Sequence, residues 1–209
     1  MSTSQTVRGG ADLRQRRIRW VRLLSWASLV WMCAEGAIGL LAGFEAGSTA
    51  LVGWALGSVI EGLASVIVIW RFTGRRLVSE TSERLAQRGV AVSFFFLAPY
   101  IAVQALWDLA MGHSADSTAL GIAVAASSVV VMPLLGLAKR RLGSHLDSDA
   151  TTGEGLQNLM CAAQAATVLV GLGVTAVIGW SWVDPAIALI IAGWAVWEGV
   201  AAWREDGCC

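Results

Sequence analysis

The sequence predicts an all-α fold, a bundle of six transmembrane helices with both termini in the cytoplasm. Three observations point to it. Six apolar stretches each approach the ~20 residues needed to cross ~30 Å of hydrocarbon: Trp20 to Phe44, Ala50 to Phe72, Val90 to Met111, Leu120 to Ala138, Thr152 to Ile178 and Pro185 to Trp203. All 15 Lys and Arg residues then fall on one side of the membrane, in the N-terminal segment, after the second, fourth and sixth stretches, and nowhere else. Basic residues collect in cytoplasmic loops, so the even number of spans and this alternation support each other. Finally, a chain that is 56% hydrophobic and 14% charged, with a mean hydropathy of +0.64, is unlike a soluble domain, whose charged share is about 25%.

Each span has local support. The first is preceded by Arg8, Arg14, Arg16, Arg17 and Arg19, has Arg22 at its very start, and carries Gly39 and Gly43 with Gly47 just past its end at four-residue spacing, a pattern that suits close helix contact in lipid. The second repeats it with Gly53 and Gly57, and Trp54, Ser58, Glu61 and Ser65 share one stripe. Pro99 and Pro133 interrupt the third and fourth spans, where neighbouring helices can re-satisfy the freed backbone. The fourth is followed by Lys139, Arg140 and Arg141. The sixth opens with Asp184 as N-cap and Pro185 at the first helical position. Trp20, Trp70, Trp107, Trp180, Trp182 and Trp203 lie near span ends, where amphipathic rings prefer the interface.

Residues 1–19 are expected to form a disordered, arginine-rich cytoplasmic tail, residues 20–203 the six-span domain, and residues 204–209 a short cytoplasmic tail. The first apolar stretch is too long for a signal-peptide core and no small-residue cleavage pattern follows it, so it stays in the mature chain. Of the 4 cysteines, Cys33 and Cys161 lie in spans and Cys208 and Cys209 end the chain, where cytoplasmic thiols stay reduced and no disulfide framework is expected. The net charge of zero says nothing about partners. Beyond the lipid bilayer and a cation, no nucleic-acid partner, enzymatic activity or bound cofactor is expected.

The polar groups inside the spans carry the functional signal. A carboxylate at the bilayer centre costs about 2.5–3.5 kcal/mol even on the lenient insertion scale, so each one needs a reason. Glu35 lies in the first span, Glu61 is central in the second and Glu154 sits in the inner part of the fifth, while Glu198 is close enough to the inner interface to snorkel. On the fifth span Glu154, Gln157, Asn158, Cys161 and Gln164 fall within an arc of about 120° at 3.6 residues per turn. Two polar stripes, one with Glu61 and one with Glu154, amides and a thiol, can converge on a hydrophilic cavity. Oxygen donors suit hard cations, and a thiolate biases a site toward zinc. The alternative is that these groups serve as hydrogen-bonding glue between helices. Cys33 has no polar company and is expected to pack.

The stretch Gly47-Ser-Thr-Ala-Leu-Val-Gly-Trp-Ala-Leu-Gly-Ser-Val-Ile-Glu61 resembles the second span of the cation diffusion facilitator transporters, and Gly179-Trp-Ser-Trp-Val-Asp-Pro-Ala-Ile-Ala-Leu189 resembles their last loop and sixth span. The resemblance covers the six-span region. It implies a divalent cation, most often zinc, held between a pair of ligands four residues apart on the second span and another such pair on the fifth. Those positions are Gly57 and Glu61, and Gln157 and Cys161. With Glu accepted for Asp, the chain departs from the pattern at three of four, and Glu154, one turn before Gln157, can restore a carboxylate. The likeness is to short bacterial members that lack the cytoplasmic metal-sensing domain and end in a cysteine pair. It implies a homodimer in the bacterial plasma membrane that exports metal in exchange for protons, because both compete for the same oxygens.

On this basis Glu61 and Glu154 are the expected metal-binding residues, with Cys161, Gln157, Asn158 and Glu35 in support. Two rivals stay open: a transporter or channel for another small cation or solute, to which Trp31, Trp54 and Trp194 would offer aromatic faces, and a non-transporting membrane partner or metal sensor on the same fold. The six-span topology predicts that a cysteine placed at Ser117 is labelled from outside intact cells, and one at Ser79 only after permeabilisation. External labelling at position 79 would overturn it.

Overall fold

The computed structural model describes residues 3–71, 80–113, 115–180 and 182–204. Within them the chain forms six α-helices in sequence order: α1 (Thr3–Ala46), α2 (Thr49–Arg71), α3 (Glu80–Met111), α4 (Ala119–Leu146), α5 (Asp149–Ile178) and α6 (Val183–Arg204). The fold is the expected all-α bundle. Five helices are long and apolar enough to cross a membrane, and α2 contributes the shorter apolar segment Thr49–Leu63. Ser79, Cys208 and Cys209 lie outside the described residues.

The helices outrun the apolar stretches. α1 begins at Thr3, taking up the segment expected as a disordered tail, α3 begins ten residues before Val90, and α4 continues through Lys139, Arg140 and Arg141 to Leu146. Hydropathy marks where hydrocarbon ends, whereas Arg, Lys, Glu, Gln and Leu are good helix formers on either side of that boundary. Helices α3 and α4 run on past Pro99 and Pro133.

The turns show what stops the helices. Gly47, at φ +62°, makes the turn between α1 and α2, a left-handed conformation that glycine adopts without steric cost. Asp147 at φ 48° ends α4, and Ser148 immediately caps α5 by accepting from the Thr151 amide. Asp184 departs from expectation. It lies inside the first turn of α6 rather than capping it, and its carboxylate reaches across to the start of α2, accepting from Ser48 Oγ at 2.5 Å and the Ala50 amide at 3.3 Å. The acid thus neutralises orphan donors at another helix's N-terminus. Beside it, Thr49 Oγ1 donates to Asp108 at 2.5 Å, and Gln104 Nε2 donates to the same carboxylate at 3.3 Å. These bonds tie α2, α3 and α6 together at the end of the bundle opposite the chain termini.

The most extensive packing joins α1 with α2, α4 with α5 and α3 with α6, while α2 also touches α3, α5 and α6. The core between them is built on Leu51, Trp54, Phe94, Ile101, Val168 and Ile187. Gly39 and Gly43 pack as their spacing suggests: a Cβ on Gly39 would lie 2.9 Å from Ala55 Cβ, and one on Gly43 would lie 2.7 Å from Val52 Cγ2. Helices α4 and α5 meet backbone to backbone, since a Cβ on Gly136 would lie 2.7 Å from the Gly155 carbonyl oxygen. The outer surface is apolar, with Leu41, Phe44, Phe96, Val103, Leu134 and Val177 all exposed. Such a surface would aggregate in water and suits contact with lipid chains. The terminal rings of Trp20, Trp107, Trp180, Trp182 and Trp203 also face outward.

Gly43→Leu should wedge α1 from α2 and lower stability by about 1–3 kcal/mol. Gly193→Ala, where nothing lies within 4 Å of the added Cβ, should melt at or above the wild-type temperature. Thermal unfolding in detergent checks both, and equal melting of Gly43→Leu and wild type would contradict the close α1–α2 contact.

Candidate functional site

Besides the Asp108 and Asp184 contacts at its end, two polar clusters lie inside the bundle among the described residues, at different levels. The first is organised by Glu35, 1% exposed on α1. Its carboxylate accepts from Ser58 Oγ on α2 at 2.6 Å, from Trp31 Nε1 at 2.8 Å, from Ser128 Oγ on α4, and from Cys161 Sγ on α5 at 3.4 Å. One acid therefore gathers donors from four helices. Cys161 is also 3.5 Å from Ser58 Oγ, so its thiol is turned into the Glu35 network.

Next to this network lies Glu61, also 1% exposed. Neither of its carboxylate oxygens has a hydrogen-bond partner among the described residues. Glu198, Glu35 and Cys161 are close enough to act on it electrostatically but do not meet hydrogen-bond geometry. Glu198, on α6, is buried rather than snorkelling: Gln164 Nε2 donates to its Oε1 at 2.9 Å, and its Oε2 has no partner among the described residues. One turn along α2, Ser65 Oγ is likewise buried without a partner. A Cβ on Gly57 would find Gln164 Oε1 nearest, at 3.8 Å, so a small side chain there would rest against an amide oxygen in ordinary contact.

The second cluster is displaced toward the chain termini. Lys139 on α4, fully buried, donates to Glu154 Oε1 on α5 at 2.7 Å, and Ser25 Oγ on α1 donates to Glu154 Oε2 at 2.7 Å. One turn further along α5, Asn158 Nδ2 donates to Ser28 Oγ at 3.0 Å. Seven residues separate Glu154 from Cys161, about 10 Å along the axis at 1.5 Å per residue. The structure thus brings Glu35, Glu61 and Cys161 together, sets Glu154 and Asn158 against α1 at another level, and leaves the half-buried Gln157 outside both networks among the described residues. Cys33 is exposed on the outer face of α1.

Lys139 corrects the assignment of every basic residue to a loop. Gly121, Ala125, Ser128, Met132, Gly136, Lys139 and Gly143 form one buried stripe at three- and four-residue spacing, and the phase of those small residues carries Lys139 inward while Arg140 and Arg141 stay exposed. Ser25, Ser28 and Ser128 were likewise readable as interior only from helix phase. No group of three or more His, Cys, Asp or Glu side chains is arranged to hold a metal ion among the described residues. Two surface grooves, one lined by Met160, Ile190, Gly193, Trp194 and Trp197 and one by Phe95, Pro99 and their neighbours, are apolar and lie away from the acids.

The chain is similar to an uncharacterized transporter of Synechocystis sp., with 25% identity over 167 residues covering 76% of this chain and 54% of the relative. It therefore spans about half the length of that relative. No family model matches the chain.

The ion pair generates a double-mutant prediction. Glu154→Gln alone should destabilise the protein by about 3–5 kcal/mol, because it strands a buried ammonium. Combining it with Lys139→Met should recover most of that loss, and additive losses in a thermal-melting cycle would show that the two side chains do not act as a pair.

Proposed function

We propose that the protein is a divalent cation transporter of the cation diffusion facilitator kind, exchanging metal for protons at the acids in the middle of the bundle. The observation that carries this reading is Glu61, a carboxylate sealed between helices with both oxygens unpartnered among the described residues. An acid in that setting is costly unless a proton or a cation occupies it. Support comes from the second-span and Asp184-Pro185 elements of the sequence and from the similarity to a protein named as a transporter. Zinc is the cargo that the family resemblance implies, and a homodimer its assembly.

Glu35 fits a supporting role. With donors from α1, α2, α4 and α5 it has little free coordinating capacity, and it fixes the wall against which Glu61 sits. Alternating access would rock helix pairs around the mid-bundle acids, as inverted-repeat transporters do around a fixed site. The bond set that closes the end near α2, α3 and α6 would have to yield for cargo to leave there.

Reconstituted in liposomes, the wild type should move a divalent cation, with zinc and manganese tested in parallel, down an imposed gradient and move protons the other way. Glu61→Gln keeps shape and hydrogen bonding while removing the charge, so it should reduce that flux at least tenfold, about 1.4 kcal/mol. Wild-type flux in Glu61→Gln would reassign this residue to helix packing.

A further inference from the structure

We propose that Glu198 on α6 is the second carboxylate of the cation site, beside Glu61 where α2, α5 and α6 meet, and that this site takes an oxygen-preferring divalent cation of the manganese class. The inference rests on the transport reading above and names the ligands and cargo class of that same site.

The donor inventory leads to it. In the middle cluster the soft and neutral groups are already engaged: the Cys161 thiol with Glu35 and Ser58, Ser58 and Ser128 with Glu35, and the Gln164 amide nitrogen with Glu198. What remains open is oxygen. Both oxygens of Glu61, Oε2 of Glu198 and Oγ of Ser65 are buried without a partner among the described residues. Gln164 holds Glu198 through its nitrogen, and its Oε1 is the atom nearest to a Cβ built on Gly57, at 3.8 Å. Two carboxylates with hydroxyl and amide oxygens make a hard donor set, the kind that selects manganese, magnesium or calcium rather than thiolate-seeking metals. Gly57 is then no missing ligand, since an amide oxygen from α5 lies against that position.

The pair also balances charge. Two ionised carboxylates neutralise one divalent cation. Gln164 acts as a positioning residue, setting the direction of the free Glu198 oxygen.

The test uses the full chain purified in detergent. Manganese is titrated by calorimetry in two buffers of different ionisation enthalpy, which counts released protons, and cadmium loading is followed in the ultraviolet for a thiolate charge-transfer band. Wild type should bind manganese with proton release, and cadmium should bind without the band. Glu198→Gln should bind manganese at least tenfold more weakly and release fewer protons. If that variant does not fold, Glu198→Asp, which keeps the charge but withdraws it by one carbon, should show a weaker affinity than wild type. Wild-type manganese affinity in the folded Glu198 variant, or a thiolate band with cadmium, would overturn the proposal and leave the transport reading standing. A wild type that binds neither metal would overturn both.

Discussion

Hydrocarbon offers no hydrogen bonds, so every polar atom that this chain carries into the bilayer must find its partner within the bundle or remain unsatisfied. The positions of the helices follow from that constraint. Apolar contacts cannot order helices in lipid as they do in water, because lipid tails are as apolar as leucine. Order comes from close glycine contacts and from polar bonds, each worth about 0.6–2 kcal/mol between helices. Glu35 alone draws donors from α1, α2, α4 and α5. At the end away from the termini, Asp184 and Asp108 tie α6 and α3 to the start of α2. Among the described residues the buried side-chain atoms left without a partner are few, Trp54 Nε1, Ser65 Oγ and Asn158 Oδ1 besides the oxygens of Glu61 and Glu198, and of these only the last two residues are carboxylates.

The arrangement also divides labour among the helices. Helices α1, α2, α4 and α5 share the Glu35 network, while α3 packs mainly on α6, with Phe95 and Trp203 in ring contact at 6.3 Å and Arg88 over the same Trp203 ring at 5.7 Å. Helix α6 therefore faces two ways. One side is bound to α3, and the other inserts Glu198 toward Gln164 and Glu61. Any rotation of the α3–α6 pair would carry one carboxylate with it and leave the other behind on α2.

The fold was legible in the sequence because six apolar stretches and the alternation of basic loops are properties of single segments. So was the α5 stripe: Asn158, Cys161 and Gln164 all point inward. What stayed hidden depends on phase and on level. Hydropathy stops at the first charge, so Lys139 was assigned to a loop although its helix continues for another two turns. Glu154 and Glu61 share inward-facing stripes, but no single-helix pattern gives the axial offset between two helices, and the offset decides that Glu154 meets Lys139 and Ser25. Glu198 lies near the end of its span, where snorkelling is the ordinary outcome. Only the packing of α6 on α5 turns it inward.

The Lys139–Glu154 pair has a consequence for how such a chain can change over time. Each partner is tolerable only because the other is present, so losing either one leaves a lone charge in a place without water. A lineage leaving this arrangement must replace both residues nearly at once or cross a poorly folded intermediate, even where an uncharged pair would be equally stable. The pair is thus a mutational trap, easier to inherit than to abandon, and its presence is no measure of how much it adds to stability.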